Sequence, residues 1–534
     1  MTRKVDAIVI GAGVSGLYQI HQLREQGFEV QGLEAGSDVG GTWYWNRYPG
    51  ARFDSESYIY QYLFDEKLYK DWTWSERFPA QPEIERWMHY IADRLDLRRS
   101  IRFDTRVKSA VFNEDTGRWL VTPENGETYD AQFVIGCTGM LSAPLANRFK
   151  GQESFRGEIV HTGLYPKGGL DLKGKRVGVI GTGATGIQVI QTIARDVAEL
   201  KVFVRSPQFS LPMRNPKFGP DEVRAYKGRF DELKETLPNT FTGFEYDFEV
   251  AWADLTPEQR LERLEEIYND GSLKLWLASF SEMFFEQEVS DAISQFVREK
   301  MEARLKDPEL IKTLVPQPGD AGFGKVRVPL ETNYLETYLL PHVEAVRVRD
   351  NPIAEIVPEG IKLEDGSVYE LDVIIMAVGF DAGTGGMSRI DITGRNGMTL
   401  RDEWHKETRT TLGMQVYGFP NLFMTGAPLA PSAALCNMTT CLQQQTEWIT
   451  DCIRFMREKG KTVIEPTEKF EREWINHHDE LVNASLFANT DSWYNGSNIE
   501  GKPKRFLSYT GGTGTYKKKC QEIADSGYAG FEIA

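Results

Sequence analysis

Residues 7–16, Ala-Ile-Val-Ile-Gly-Ala-Gly-Val-Ser-Gly, open the first structural unit of this chain and decide its fold. Residues 7–10 form an apolar run with no polar face, which is typical of a strand buried on both sides. Apolar residues then recur at helical spacing from Leu17 to Leu23, and Gly27 ends that helix. Residues 30–33 predict the next strand, so the order is strand, glycine turn, helix and strand.

The glycine turn consists of Gly11, Gly13 and Gly16 in the pattern G-x-G-x-x-G. Such a turn lets the backbone approach a pyrophosphate at the helix N-terminus. Glu34 follows Gly16 by eighteen residues, where a carboxylate can accept hydrogen bonds from ribose hydroxyls. The glycines alone are a weak signal, and an ordinary strand–helix turn is the alternative. The surrounding strand, helix and acid favour a dinucleotide-binding unit.

A second unit of the same kind starts with the apolar residues 177–180. A glycine turn follows at Gly181, Gly183 and Gly186, and a later apolar run ends on Arg205. Glu34 suits the bare ribose diol of FAD or NAD, whereas an arginine at the equivalent place suits the 2′-phosphate of NADP. A surface arginine at a strand end is the alternative. FAD and NADPH in one chain predict hydride transfer into a flavin.

Composition limits the remaining possibilities. A chain of 534 residues has room for two or more domains. Its formal net charge of −16 argues against nucleic acid and anionic membranes as partners, and no apolar run reaches the length of a membrane span. No histidine spacing indicates a metal site. The five cysteines are scattered, which predicts a reducing cytoplasmic location without a disulfide framework.

The rest of the chain predicts an α/β protein with two Rossmann-like domains and an inserted helical subdomain. Residues 40–54 are expected to form a loop, because they combine glycines, a proline and aromatics without a period. Residues 65–100 look helical, and residues 104–135 and 354–371 each look like a small antiparallel meander with a tight turn. We expect an FAD-binding domain at 1–145 and 386–534, an NADP-binding domain at 146–210 and 331–385, and the helical insertion at 211–330.

Two further motifs resemble those of Baeyer–Villiger flavin monooxygenases of the cyclohexanone monooxygenase type. The family loop G-G-T-W-Y-W-N-R-Y-P-G-x-x-x-D is present unchanged at residues 40–54. The family linker F-x-G-x-x-x-H-x-x-x-W-P is present with one change, tyrosine for tryptophan, at Phe155, Gly157, His161, Tyr165 and Pro166. The resemblance covers nearly the whole chain. It implies oxidation of a ketone, cyclic or bulky, to an ester or lactone by NADPH and O2 through a flavin C4a-peroxide.

The resemblance also implies a set of cofactor-binding residues, to which the two glycine turns contribute. FAD would be held by Gly11, Gly13, Ser15, Gly16, Glu34, Gly41, Thr42, Trp43, Trp45, Asp54, Tyr60 and Val107. NADP would be held by Gly181, Thr182, Gly183, Thr185, Gly186, Gln188, Arg205, Ser206, Lys325 and Arg327, with Trp493 closing over the nicotinamide end.

The family has a catalytic arginine preceded by a lysine that binds the 2′-phosphate. The arginine aligns with Arg327, whereas Val326 takes the place of the lysine and Lys325 lies one position earlier. The resemblance implies that Arg327 stabilises developing negative charge and that Asp54 orients it. A surface strand arginine is the alternative. Whether Lys325 replaces the family lysine stays open, as does the oligomeric state.

Three other functions remain compatible with the fold. A flavin monooxygenase that oxygenates nitrogen or sulfur would share both nucleotide-binding units. A flavin disulfide reductase would need a cysteine pair soon after the first glycine turn, and that region has none. A non-enzymatic dinucleotide sensor would bind the cofactors without consuming O2.

Overall fold

The computed structural model of the protein describes residues 2–146 and 149–534. The first unit consists of the strand Thr2–Ile10, the helix Val14–Glu25 and the strand Val30–Leu33. The two strands are parallel, as a Rossmann-like unit requires. The first strand begins at Thr2, earlier than the apolar run suggested, because its polar start pairs with the strand Thr128–Gly136.

The predicted meander is the antiparallel set Val107–Asn113, Arg118–Pro123 and Thr128–Gly136. It continues the sheet of the first unit. Later parts of the chain return to this sheet. Asp391–Thr393 pairs with Val107–Asn113, and Leu422–Met424 pairs with Thr128–Gly136. The sheet order is Asp391–Thr393, Val107–Asn113, Arg118–Pro123, Thr128–Gly136, Thr2–Ile10, Val30–Leu33 and Ile101–Arg102.

A C-terminal helix, Met438–Glu458, packs on the helix Val14–Glu25 of the first unit. Gln19 Nε2 donates to Thr450 Oγ1 at 2.9 Å, and the Tyr18 hydroxyl donates to Glu447 at 2.8 Å. This C-terminal helix therefore packs on the helix of the first unit and shares its hydrophobic core.

The second sheet is parallel and is built around the second glycine turn. Its order is Val343–Arg347, Glu199–Val204, Arg176–Ile180, Val373–Met376 and Glu158–His161, and the helix Ala184–Ile193 follows the turn. The second predicted meander is present as Ile353–Val357, Gly360–Leu363 and Val368–Glu370.

Residues 211–330 interrupt the second unit and are mainly helical. The two ends of this insertion meet as the parallel pair Leu211–Pro212 and Leu330–Glu331. The insertion therefore enters and leaves the second unit at adjacent positions. Its α-helices are Pro220–Gly228, Phe230–Thr236, Pro257–Asp270, Lys274–Leu277, Gln287–Leu305 and Pro308–Leu314.

The other α-helices, outside the insertion, lie mostly in the first unit and the C-terminal region. They are Thr42–Trp45, Glu66–Asp71, Gln81–Arg94, Tyr334–Thr337, Gly385–Ser388, Leu400–Lys406, Glu468–Asn483 and Thr513–Asp525. A small antiparallel pair joins Ile464–Pro466 to Phe531–Ile533. Within residues 2–146 and 149–534, no helix combines the length and the apolar character needed to cross a membrane.

Two local features differ from the sequence expectation. The expected loop at 40–54 contains a helical turn, Thr42–Trp45, which starts where Gly41 adopts a φ of +52°. Cys436 and Cys441 are joined by a disulfide, whereas the scattered cysteines predicted no disulfide framework. With Asn437 as N-cap of the next helix, the two cysteines take the positions that a hydrophobic staple occupies, which brings their side chains together. Cys137, Cys452 and Cys520 are free and buried.

Candidate functional site

The first glycine turn is shaped by close backbone contacts. A Cβ on Gly11 would clash with the carbonyl oxygen of Cys137, and Gly11 has a φ of +106°. A Cβ on Gly16 would clash with the carbonyl oxygen of Gly11, and one on Gly13 would lie 3.2 Å from the Cα of Gly41. The turn thus presents bare backbone at the N-terminus of the helix Val14–Glu25, where amide groups are available to an anion. This geometry fits a dinucleotide pyrophosphate.

Glu34 lies at the end of the second strand and is almost fully buried. Its carboxylate accepts the backbone N–H of Ala12 at 2.7 Å and that of Gly36 at 2.6 Å. Burial raises the pKa of Glu34, and these two hydrogen bonds oppose that effect. The carboxylate therefore ties the glycine turn to the strand end, and its remaining lone pairs can accept ribose hydroxyls. Two residues before Val107, the backbone N–H of Thr105 donates to the carbonyl of Glu34 at 2.8 Å.

The aromatic residues of the 40–54 segment pack against Tyr60. Trp43 is buried, and its indole N–H donates to the Tyr60 hydroxyl at 3.1 Å. The Tyr60 ring stacks on Phe53 with centroids 4.5 Å apart. Trp45 is partly exposed beside Tyr44. Ring packing therefore helps to hold the segment that carries Asp54.

The second glycine turn repeats the first in two of its three positions. A Cβ on Gly181 would clash with the carbonyl of Ala377, and one on Gly186 would clash with the carbonyl of Gly181. Gly183 differs, because apart from its two chain neighbours no other described residue has an atom within 4 Å of its ideal Cβ position. The space beside Gly183 is therefore open at the N-terminus of the helix Ala184–Ile193, which fits a second dinucleotide.

The cations predicted for the 2′-phosphate lie in different surroundings. Arg205 and Ser206 are exposed at the end of the strand Glu199–Val204, and the carbonyl of Ser206 accepts the Thr182 hydroxyl at 3.1 Å. Among the described residues, Arg205 has no ion-pair partner. Lys325 instead donates to Gln287 Oε1 at 3.1 Å, and burial lowers the pKa of Lys325. Arg205 is therefore the more available of the two for an anionic ligand.

Gln188, which was predicted to contact NADP, also links the two units. Its Oε1 accepts the Tyr48 hydroxyl at 2.9 Å, and its Nε2 donates to the carbonyl of Arg52 at 3.1 Å. Gly50 packs against the carbonyl of Gln188, where any side chain at Gly50 would clash. The helix of the second unit is thus docked directly on the segment that carries Asp54.

Arg327 and Asp54 come together in the ion pair that the resemblance implied. Arg327 Nη2 lies 3.3 Å from Asp54 Oδ2, and Arg327 Nη1 donates to the carbonyl of Ala433 at 2.8 Å. The guanidinium carbon lies 5.6 Å from the ring centroid of Trp276. Burial raises the pKa of Asp54, and the Arg327 charge opposes that effect. Asp54, the Ala433 carbonyl and the Trp276 ring thus contact the guanidinium, while the Arg327 side chain remains 25% exposed.

The linker fingerprint spans the edge strand of the second sheet, Glu158–His161, and contacts the loop that follows the strand Val373–Met376. His161 Nδ1 accepts the backbone N–H of Gly163, and its Nε2 then donates to the carbonyl of Gly379 at 3.0 Å. A Cβ on Gly157 would clash with the carbonyl of Asp372. Tyr165, which replaces the family tryptophan, is buried, and burial raises the pKa of its hydroxyl to about 12.

Some site residues were missed by sequence reasoning. The Ala433 carbonyl is a backbone group, so no residue pattern could identify it as a partner of Arg327. Tyr494 is fully buried, and its hydroxyl donates to the neighbouring Ala434 carbonyl at 3.3 Å. It lies beside the partly exposed Trp493, which was predicted to cover the nicotinamide end. Trp276 is one of several aromatic residues in the insertion, with Trp252, Phe284 and Phe285, and nothing in the sequence distinguishes it from them.

Comparison with known proteins gives one consistent result along the whole chain. A family model described as flavin-binding monooxygenase-like matches residues 3–271. The chain is 64% identical over 533 residues to the acetone monooxygenase (methyl acetate-forming) of Gordonia sp. (strain TY-5), with 100% of both chains covered. It is similar to the closed crystal structure of cyclohexanone monooxygenase, with a TM-score of 0.96, 38% identity and full coverage of both chains. A crystal structure of the OTEMO complex with FAD and NADP matches with a TM-score of 0.95, 40% identity and 99% of each chain covered.

Proposed function

Because this chain belongs to the flavin-binding monooxygenase-like family and is an FAD- and NADPH-dependent Baeyer–Villiger monooxygenase, we propose that it converts a small acyclic ketone to an ester. One ketone, one O2, one NADPH and one proton give one ester, one NADP+ and one water. The observation that carries the substrate class is the whole-chain similarity to an acetone monooxygenase, which exceeds the similarity to cyclohexanone monooxygenases. The sequence expectation of a cyclic or bulky ketone stays the alternative, and it matches the cyclopentanone and cyclohexanone monooxygenases among the relatives.

The two nucleotide-binding units have separate roles in this proposal. The regions 1–145 and 386–534 bind FAD through the first glycine turn, Glu34 and the 40–54 segment. The regions 146–210 and 331–385 bind NADPH through the second glycine turn and Arg205. The insertion 211–330 supplies Arg327. The open space beside Gly183 and the exposed guanidinium of Arg205 support the NADPH assignment.

FAD, when bound, accepts hydride from NADPH and activates O2. Arg327 acts on the ketone end of the reaction. Its guanidinium is planar and permanently charged, so it can stabilise the negative charge that develops on the carbonyl oxygen. Asp54 and the Ala433 carbonyl take up two edges of the guanidinium, which fixes the direction of the remaining N–H donors. Asp54 therefore orients Arg327 rather than reacting itself.

A substrate panel tests the proposal. Purified protein with FAD and NADPH would be given acetone, butanone, cyclohexanone, a thioether and a tertiary amine, and products would be identified by gas chromatography and mass spectrometry. We expect methyl acetate from acetone, and a higher kcat/KM for acetone than for cyclohexanone. A preference for cyclohexanone would overturn the substrate class. Sulfoxide or N-oxide without any ester would favour the nitrogen- or sulfur-oxygenating alternative, and no oxygen-dependent NADPH consumption would favour a sensor.

A further inference from the structure

Trp276 contacts both the guanidinium of Arg327 and the backbone segment that carries Arg327. The indole N–H donates to the carbonyl of Gly324 at 3.1 Å, and the guanidinium carbon of Arg327 lies 5.6 Å from the indole centroid. Trp276 itself is fully buried in the insertion. We propose that Trp276 is a positioning residue that fixes Arg327 for oxygen transfer, an inference that rests on the function proposed above.

The segment before Arg327 lies directly on the indole. Gly324 has a φ of +79°, and a Cβ there would lie 2.5 Å from Met283 Cε and 2.8 Å from Trp276 Cδ1. The neighbouring Phe323 backbone N–H donates to Ser294 Oγ at 2.9 Å. The position of the segment is therefore determined by the helical insertion rather than by either sheet.

The same part of the insertion is also connected to the segment that carries Asp54. Lys274, at the start of the helical turn of Trp276, pairs with Asp270 at 3.2 Å. Arg77 bridges Asp270 at 2.9 Å and Glu56 at 3.0 Å. Glu56 follows Asp54 by two residues. A chain of contacts therefore runs from Glu56, near Asp54, through Arg77, Asp270 and Lys274 to the helical turn of Trp276. Within this chain of contacts, Trp276 is the residue that touches Arg327.

A tryptophan suits this task for two reasons. Its ring has the strongest attraction for a guanidinium among the aromatic side chains, and a ring contact leaves the N–H edges of the arginine free for other partners. Asp54 and the Ala433 carbonyl use those edges. Its indole N–H also satisfies a backbone carbonyl that a phenylalanine would leave unpaired. A phenylalanine would keep part of the ring contact and lose the hydrogen bond.

Two variants and one matched control test the proposal. Trp276→Phe removes the hydrogen bond and weakens the ring contact, and Trp276→Leu removes both. Trp252→Phe is the control, because Trp252 also lies in the insertion and also packs on an arginine, Arg260, at 4.5 Å. The measurements are ester formed per NADPH consumed, FAD content, the rate of flavin reduction by NADPH, and hydrogen exchange of residues 322–328 followed by mass spectrometry.

We expect Trp276→Phe to lower the ester yield per NADPH by roughly threefold to tenfold, since one hydrogen bond and part of one cation–π contact are lost. Trp276→Leu should lower it further. Hydrogen exchange of residues 322–328 should become faster in both, while FAD content and flavin reduction stay near parental values. Trp252→Phe should match the parent in every measurement.

The double variant Trp276→Phe with Arg327→Lys separates positioning from a direct role. If Trp276 acts through Arg327, adding Trp276→Phe to Arg327→Lys should lower the ester yield little beyond the loss that Arg327→Lys causes alone. Unchanged ester yield and unchanged hydrogen exchange in Trp276→Phe would overturn the inference. It would also be overturned if the fold-loss of ester yield in the double variant equalled the product of the fold-losses in the two single variants. If Trp276→Leu fails to fold, Trp276→Phe alone decides. Absence of ester from the parent protein with every ketone would instead contradict the proposed function, and the exchange measurement would still report on the contact.

Discussion

Arg327 and Asp54 are 273 residues apart in the chain, yet their side chains lie 3.3 Å apart in the folded protein. Arg327 comes from the end of the helical insertion, and Asp54 comes from the loop after the first unit. Asp54 is buried, and a buried carboxylate needs a partner of opposite charge. The ion pair therefore joins the insertion to the first unit at the position of the proposed active site.

Replacing Arg327 should separate flavin reduction from ester formation. Arg327→Ala should still bind FAD and still be reduced by NADPH, though more slowly, because Arg327 is also expected to contact NADP while the negative charge that it stabilises develops only after O2 has reacted. Ester formation should fall by roughly 10²- to 10³-fold, the usual loss for one transition-state stabiliser, with hydrogen peroxide released instead. Lysine should rescue poorly, because an ammonium lacks the planar fork that Asp54 orients. Anaerobic stopped-flow and product analysis measure the two steps.

Arg260→Ala is the matched control for Arg327→Ala, because Arg260 also packs on a tryptophan of the insertion. It should keep the parental ester yield. Near-parental ester yield in Arg327→Ala would show that the arginine is structural. Complete loss of flavin reduction in a folded Arg327→Ala protein would assign it to nicotinamide positioning instead.

Replacing Arg205 should lower the preference for NADPH over NADH. The exposed guanidinium stands at the strand end where an acid would select NADH, and a hydrogen bond to a charged group contributes about 1.5–3 kcal/mol, or roughly 10- to 150-fold. Arg205→Ala should raise the KM for NADPH by that factor and leave the KM for NADH nearly unchanged. Arg195→Ala, a surface arginine of the same unit, should change neither KM. Equal efficiencies with both cofactors in the parent would rule out this role.

The two nucleotide-binding units could be predicted because their signals are local. A buried strand, a glycine turn and an amphipathic helix lie within about thirty residues, and each has its own period. Gly11 and Gly181 adopt positive φ angles, which a residue with a side chain would disfavour. A glycine is therefore required at each position, and the sequence alone identifies the turns.

The contacts that shape the candidate site could not be predicted in the same way. The Ala433 carbonyl, the ring of Trp276 and the link between Gln188 and Tyr48 all join segments distant in sequence. A backbone carbonyl has no residue signature, and Trp252 looked equivalent to Trp276 in the sequence. The Cys436–Cys441 bridge also depends on where a helix begins, and a helix boundary is among the least certain features of a sequence.

Gly183 and Gly186 of the second turn should respond differently to alanine. Gly183 adopts a φ of −72° and has open space at its Cβ position, so Gly183→Ala should change the free energy of unfolding by less than about 1 kcal/mol. The added methyl would fill the space that we assign to the pyrophosphate, and NADPH affinity should fall roughly tenfold, or about 1.4 kcal/mol. Fluorescence titration and thermal unfolding measure the two effects.

Gly186→Ala is the contrasting variant. Its Cβ would collide with the carbonyl of Gly181, which should destabilise the fold by about 1–3 kcal/mol. Unchanged NADPH affinity in Gly183→Ala would place the pyrophosphate elsewhere.

Glu56 should make the stability of the protein depend on pH. It is fully buried between Arg77 and the insertion, and burial raises the pKa of Glu56 to about 7, despite the opposing charge of Arg77. The folded protein therefore binds a proton that the unfolded chain releases near its ordinary pKa of 4.5. The contribution of Glu56 to stability is then fully present below pH 4.5, decreases as the pH rises to about 7, and is constant above that.

Glu56→Gln should remove this dependence, because a neutral amide can still accept from Arg77 and does not titrate. The difference in unfolding free energy, parent minus variant, should fall by about 2–3 kcal/mol between pH 5 and pH 8, since each pKa unit corresponds to about 1.4 kcal/mol. Denaturant unfolding of both proteins at several pH values gives this difference and cancels the titration of all other groups. Glu66→Gln is the control, because Glu66 pairs with Lys70 at the exposed surface and should give a flat difference. If the difference between the parent and Glu56→Gln is flat or rises with pH, Glu56 is ionised in the folded protein and its ion pair with Arg77 outweighs the cost of burial.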